Sequence, residues 1–434
     1  MVSTDDIKRV IGPAVFVLAC VFLTFLAGVV VSIYEIFPYS ALRDAVKTIG
    51  SNQDPQLDYQ HFLKKARYSD SGVTVYKPDS VQPGVTLVTG FWRFDSKWRQ
   101  SIRLVDFEGN VLHEWPVRPD VIGADLPSTD KATPTNYVHG THLMPDGDIV
   151  FNIEYLTMVR MNACGDVKWT VPYRLHHSID VDDDGNFWAA GIRWRNKLRD
   201  EYPHLRPIFA EESMVQVSPG GEILRNISVL EVLYGSGYGG TFASNQKQGD
   251  LTHVNDVEIL SADIADKFPM FEAGDIMVSL RNFSMIIVVD GKTEKVKWHF
   301  RHPLIHQHDP DFEADGHIVI FDNQDDTTRD GSKYGESRLL RVNPKDNTYS
   351  IVYPLTTDQP MYTQEGGKHQ LLENGNRLIT EANPGRVFEI TPDGTTVWSW
   401  LVEKTASGYV PEVLEGTRYP TGYAKFDSSM CAKP

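Results

Sequence analysis

Five histidines recur at one place in a repeated pattern. His139, His177 and His308 each stand eight residues ahead of a turn glycine, at Gly147, Gly185 and Gly316. His369 stands six ahead of Gly375, and His253 opens a degenerate copy that runs to Gly274. An imidazole can ligate a metal, carry a proton or attack as a nucleophile. A single histidine of this kind is more often a hydrogen-bonded core residue. Five in equivalent positions differ, because a repeat that holds them alike turns them toward one axis. Arg281, in Ser279-Leu280-Arg281-Asn282, follows the apolar run of the His253 copy. A guanidinium there would hold an anionic oxyacid group and repel a bare cation, which favours group transfer over metal chemistry.

The elements that must position these residues are legible in the repeat itself. Its first part is a polar turn followed by an apolar run, as in Pro145-Asp146-Gly147-Asp148 before Ile149-Val150-Phe151. The turn returns as Asp183-Asp184-Gly185-Asn186, Ala314-Asp315-Gly316-His317 and Glu373-Asn374-Gly375-Asn376. The second part is an apolar strand, another polar turn and a short strand often ending in Trp. It occupies Ile102–Trp115, Val159–Trp169, Val215–Ile227, Ile286–Trp298, Leu339–Tyr353 and Val387–Trp398. Asp-Gly and Asn-Gly suit tight hairpins because these turns need positive φ. A repeat of roughly 50 to 70 residues holding several strands is a propeller blade, and one blade cannot bury both its faces alone. The expectation is an all-β fold, a six-bladed β-propeller over residues 83–434, with the histidines at the channel.

Several segments carry secondary expectations. Arg193–Gly249 breaks the pattern and predicts long loops at one mouth, with Tyr234 and Tyr238 on the surface. Asp322–Asp330 reads as a solvated acidic loop, and the terminal tryptophans read as blade packing. Asp180–Gly185 begins like a calcium loop, but position twelve is Gly191 rather than Glu, so an acidic hairpin turn is expected. Tyr409–Tyr423, which includes Arg418, either completes a blade or caps the channel.

Ahead of the repeat, Ile11–Phe37 contains one charge, Glu35, and Val15–Ile33 is almost wholly apolar. That length predicts one membrane-spanning helix over 11–37. Lys8 and Arg9 precede it, which keeps residues 1–10 cytoplasmic. The apolar run continues well past Cys20, so the helix reads as an uncleaved anchor. Residues 38–82 read as a polar, partly helical connector. The 434-residue chain has a formal net charge of −16, which would repel a phosphate backbone and excludes nucleic acid as a partner. Cys164 and Cys431 read first as unrelated thiols, with a disulfide in an oxidising compartment as the alternative.

These residues resemble the arylsulfotransferase family, the aryl-sulfate sulfotransferases of bacteria, from about Pro83 to Phe426. The motifs are His176-His177 ahead of an Asp-Gly turn, His253-Val254-Asn255 leading to Ser279-Leu280-Arg281, Gln307-His308-Asp309, and Gly367-Lys368-His369. Here the second motif is stretched by an insertion, Ala262–Glu272. The resemblance implies a covalent sulfohistidine with His308 as nucleophile. It implies that His177, His253 and Arg281 hold the sulfuryl oxygens and assist proton transfer. His369, Asn255 and His139 are then expected to contact substrate. The substrates implied are an aryl sulfate donor and a phenolic acceptor, with no nucleotide donor, no cofactor and no metal. With the anchor, it implies a propeller on the periplasmic side of a bacterial inner membrane, with room for a protein partner. Two other functions stay open: a non-catalytic membrane-tethered binding propeller, and a metal-dependent lactonase or esterase using Asn255, Asp256 and Asp309.

Overall fold

The Asp-Gly and Asn-Gly turns form the same structure four times. Gly147, Gly185, Gly316 and Gly375 each donate a backbone N–H to the carbonyl three residues back, at 3.0, 2.8, 2.9 and 2.9 Å. Glycine is required at Gly147: its φ is +85°, and a Cβ there would lie 2.8 Å from the Lys425 carbonyl oxygen.

The computed structural model describes residues 4–33, 62–94, 97–122, 137–328, 330–426 and 431. It divides into two units, Met1–Gln60 and His61–Pro434. In the first, a helix α1 runs over Thr4–Ile33. Its apolar side chains, among them Phe16, Leu18, Phe22 and Phe25, are exposed. Among the described residues, no helix is long and apolar enough to cross a membrane, so the membrane-spanning helix expected over 11–37 is not borne out. The expected connector lies outside the described residues over 34–61.

The second unit is a ring of six antiparallel sheets. Blade 1 runs from the inside outward through Val413–Tyr419, Val85–Phe94, Lys97–Val105 and Val111–Pro116. Blades 2 to 5 begin with the inner strands Val138–Leu143, Leu175–Val181, Val254–Ile259 and His308–Phe312. Blade 6 begins at Lys368–Leu371 and ends with a fifth strand, Gly72–Tyr76. The propeller therefore starts before Pro83: Gly72–Tyr76 pairs with Thr396–Leu401, and Leu63–Lys65 pairs with Tyr409–Pro411. Val73 and Val75 read as connector because two valines among polar residues are too short a run to call a strand. The tail completes a blade, since Val413–Tyr419 is the inner strand of blade 1 beside Val85–Phe94. Ring closure thus joins the C-terminal to an N-terminal strand.

Period-two alternation makes each sheet two-faced, and both faces are buried. In blade 5, Ile318 and Ile320 pack toward blade 4 while Val319 and Phe321 pack toward blade 6. Six apolar clusters result, one at each blade interface. Trp115, Trp298 and Trp398 lie in them, as packing residues.

The 193–249 region is not a set of mouth loops. It contains the end of the long second strand of blade 3, Phe187–Arg195, all of its third, Phe209–Val217, and two short helices, Val229–Gly235 and Gly239–Ser244. Leu230, Leu233 and Phe242 are buried between blades 3 and 4. Tyr234 stacks on Phe242 at 5.1 Å, so it is a packing residue rather than a surface one. Cys164 and Cys431 form a disulfide, against the first reading as unrelated thiols; 267 residues of chain separate partners that the closed ring brings together.

Candidate active site

The inner strands are not straight. Register shifts mark bulges at Val138/Thr141, His176/Asp180, Val254/Asp256, His308/Pro310 and Val413/Glu415, in five of the six blades. The bulges carry left-handed backbone: His177 has φ +59° and Asp309 +46°, and His253, just ahead of its bulge, has +48°. A bulge re-aims the side chains around it, and positive φ in a non-glycine residue is strain held by its surroundings. Here it turns histidines from neighbouring blades to one end of the channel.

His139, His177, His253, His308 and Arg281 line a single cavity of about 220 Å³. His177 lies 4.5 Å from His139 and 4.9 Å from His253 between ring centroids. The insertion does not displace Arg281. It lengthens the far end of the hairpin, where Phe268 and Phe271 pack against Trp298 and Phe312, while Val254 stays opposite Leu280. The Arg281 N–H then bonds the His253 carbonyl at 3.1 Å.

The histidines differ in charge. Burial, then the charge of Arg281, hold His308 well below the usual imidazole range, so its ring is neutral. Its Nδ1 faces Asn323 Oδ1 at 2.7 Å. The Asn323 amide nitrogen donates to the carbonyls of Thr363 and Gly366, at 3.1 and 2.6 Å, so its oxygen must be the atom turned to His308. That acceptor places the His308 proton on Nδ1 and leaves a lone pair on Nε2, which accepts the Gly366 N–H in a long bond of 3.3 Å that an incoming electrophile would have to displace. His177 is likewise held well below the usual range, by burial and by neighbouring histidines. His176, buried behind it with Nδ1 2.7 Å from His177 Nδ1, is pushed down to about 3 by burial. His253 is the exception. Burial lowers its pKa, but the hydrogen bond and charge of Asp250, 2.5 Å away, outweigh that and raise it overall. The cavity thus holds neutral bases at His177 and His308 and, at His253, an imidazole that Asp250 biases toward its protonated form, beside a guanidinium.

Two expected substrate contacts lie elsewhere. Asn255 donates to the Gln307 carbonyl at 2.8 Å and ties two inner strands together. His369 is buried against Asp311 at 3.1 Å, deeper among the channel carboxylates. Neither lines that cavity: Asn255, two residues past His253, lines a second, smaller cavity with His139 and His308, and blade 6 has no bulge to re-aim His369. Asp322–Asp330 is not solvated over its first half. Asp322, Asn323 and Asp325 are buried, with Arg338 bonded to Asp322 at 3.0 Å and Arg281 3.8 Å from Asp325.

Sequence reasoning missed Glu154, Asn323 and Asp250, although two of them share a signal with Arg281. Each blade's second strand ends beside the start of its first. The residue just past that end is Glu154 in blade 2, Arg281 in blade 4 and Asn323 in blade 5.

Solved structures similar to this chain match it only at low similarity. A protein of unknown function from Bacteroides caccae is 13% identical with a TM-score of 0.45, covering 73% of this chain and 93% of its own. A streptogramin B lyase is 12% identical with a TM-score of 0.41, covering 82% and 97%. A catalytically inactive virginiamycin B lyase from Staphylococcus aureus with quinupristin is 10% identical with a TM-score of 0.39, covering 78% and 88%. Likeness of this size says nothing about chemistry. No curated protein matches the chain significantly. The family model "Arylsulfotransferase (ASST)" matches residues 140–403, which hold four of the five inner strands that bear the candidate histidines whole, the fifth, in blade 2, from Gly140 on, and the Arg281 turn. On that match over more than half its length, the chain belongs to the arylsulfotransferase family.

Proposed function

We propose that this protein transfers a sulfuryl group from an aryl sulfate to a phenolic acceptor through a sulfohistidine at His308, without a nucleotide donor. The observation that carries the reading is the neutral, Asn323-oriented imidazole of His308 in one cavity with Arg281 and a His253 biased toward its protonated form. The Nε2 lone pair attacks sulfur, and the sulfur–oxygen bond to the aryl group breaks with its electron pair leaving on the phenolate. His253 gives that oxygen its proton. Arg281 and the neutral His177 stabilise charge on the remaining sulfuryl oxygens. The acceptor phenol then returns a proton to His253 as its oxygen attacks sulfur, and the sulfur–nitrogen electrons go back to Nε2. The bond from Nδ1–H to Asn323 stabilises the imidazolium that exists between the two steps.

We place the propeller outside the cytoplasm, a placement that the Cys164–Cys431 disulfide supports.

The test is acceptor-dependent phenol release from a chromogenic aryl sulfate. Wild type should release phenol and His308→Ala should fall at least ~10³-fold, as loss of a nucleophile does. A wild-type protein silent over a panel of donors and acceptors would leave a non-catalytic binding propeller.

A further inference from the structure

Glu154 enters the cavity from the end of the second strand of blade 2, between His139 and His177. One oxygen, Oε1, lies 3.6 Å from His177 Nε2 and 4.0 Å from His139 Nδ1. Both separations are too long for hydrogen bonds. In a tetrahedral zinc site with bonds of about 2.0–2.1 Å, neighbouring donor atoms sit about 3.3 Å apart. The two carboxylate–imidazole separations exceed that spacing by about 0.3 and 0.7 Å, and all three atoms lie within 4.8 Å of one another, so modest side-chain rotations would close them on an ion. Two imidazoles and one carboxylate are also a donor set that zinc takes with a fourth position open. A partner for the far side of the His177 ring is in place: His177 Nδ1 contacts His176 Nδ1 at 2.7 Å. Such outer partners fix the orientation of a ligating ring.

Arg281 lines the same cavity from blade 4, but its guanidinium has Asp325 3.8 Å away, and Glu154 brings its own carboxylate to the ion. A second convergence, Asp309, Asp311 and His369, is already served by cations. Lys368 lies 3.5 Å from Asp309, and Arg377 contacts His369 at 3.2 Å.

We propose that His139, Glu154 and His177 form a reversible site for a divalent transition metal of the zinc class, and that filling it blocks sulfuryl transfer by occupying His177. Only the inhibition rests on the transferase reading; the binding does not.

Untagged full-length protein, stripped with a chelator, is titrated with Zn²⁺ by calorimetry without substrate. The expected result is one Zn²⁺ per chain. Glu154→Gln and His139→Ala should each weaken binding by at least ~10-fold, since even outer-partner loss costs ~10–100-fold. Co²⁺ should give the intense visible absorption of a four-coordinate ion in wild type and lose it in Glu154→Gln, whose thermal unfolding checks that it is folded. No stoichiometric binding, or binding unchanged in both variants, overturns the proposal. In the transfer assay Zn²⁺ should be competitive against aryl sulfate. Stoichiometric binding that leaves measured transfer unaffected removes the inhibitory role, whereas binding without any transfer activity removes only the transferase reading.

Discussion

His308 can serve as a nucleophile because two neighbours act on it in different ways. Arg281 and burial keep it neutral, and Asn323 decides which nitrogen carries the proton. Asn323→Asp separates these effects. A carboxylate of the same shape would favour the imidazolium and raise the His308 pKa by about one unit or more. A raised pKa means protonation at higher pH, so the acid limb of kcat/KM should move upward by the same amount. Rate at acid pH should fall at least ~10-fold, with a smaller loss at alkaline pH. An unshifted limb would show that Asn323 does not set the state of His308. The spacing of the repeat is enough to single out His308, His177 and His253. Asn323 escapes it because Asp322–Asp330 has the composition of a solvated loop, and composition does not report burial.

At the scale of the strand, the inner bulges turn side chains to the cavity, and the rest of each inner strand faces a channel crowded with acid. Asp256 and Asp309 are buried there and Asp180 and Glu258 are half-buried, and desolvation raises the pKa of each, to about 6 for Asp180 and Asp309. A raised carboxyl pKa means that the folded state holds its proton more tightly than the unfolded chain. Asp180 therefore weakens the fold progressively as pH rises from about 4 to about 6, and the full penalty stands at neutral pH. Its Oδ2 accepts the Ile259 N–H at 2.8 Å, an interaction an amide oxygen can replace. Asp180→Asn should raise the unfolding temperature by a few degrees at pH 7.5, with the gain shrinking toward pH 4.5. A destabilised variant at pH 7.5 would mean that the ionised carboxylate is wanted, through Lys368. The alternation of apolar residues made these strands readable. The bulges were not, since an extra residue in a strand changes no composition and little periodicity.

For the whole molecule, closure is the problem that the chain solves twice, once with the inner strand Val413–Tyr419 and once with the disulfide. Between them, residues 420–426 cross back to blade 2, and Phe426 stacks on His113 at 4.5 Å. Cross-linking over so long a loop stabilises mainly by limiting the unfolded chain, by ~2–4 kcal/mol. Cys164→Ser should lower the unfolding temperature, and reduction of wild type should lower it by the same amount. A thiol count on denatured protein should give one without reductant, Cys20, and three with it. Three thiols in unreduced protein prepared under oxidising conditions would remove the disulfide.

What the sequence by itself determined is what depends on local chemistry and period. Turn glycines, strand alternation and the count of copies lead to six blades, and the offset of each histidine from its turn leads to His139, His177, His253 and His308 in one cavity. What tertiary structure decided is what depends on which neighbour a residue meets after closure. His369 and Asn255 hold the same repeat position or one near it, yet a missing bulge and a two-residue offset send them away from the cavity. His253 and His177 are the same side chain in equivalent strands, and only Asp250 beside one biases it toward its protonated form while its neighbour stays neutral. Charge state and burial are properties of surroundings, and those surroundings come from other blades, up to hundreds of residues away along the chain.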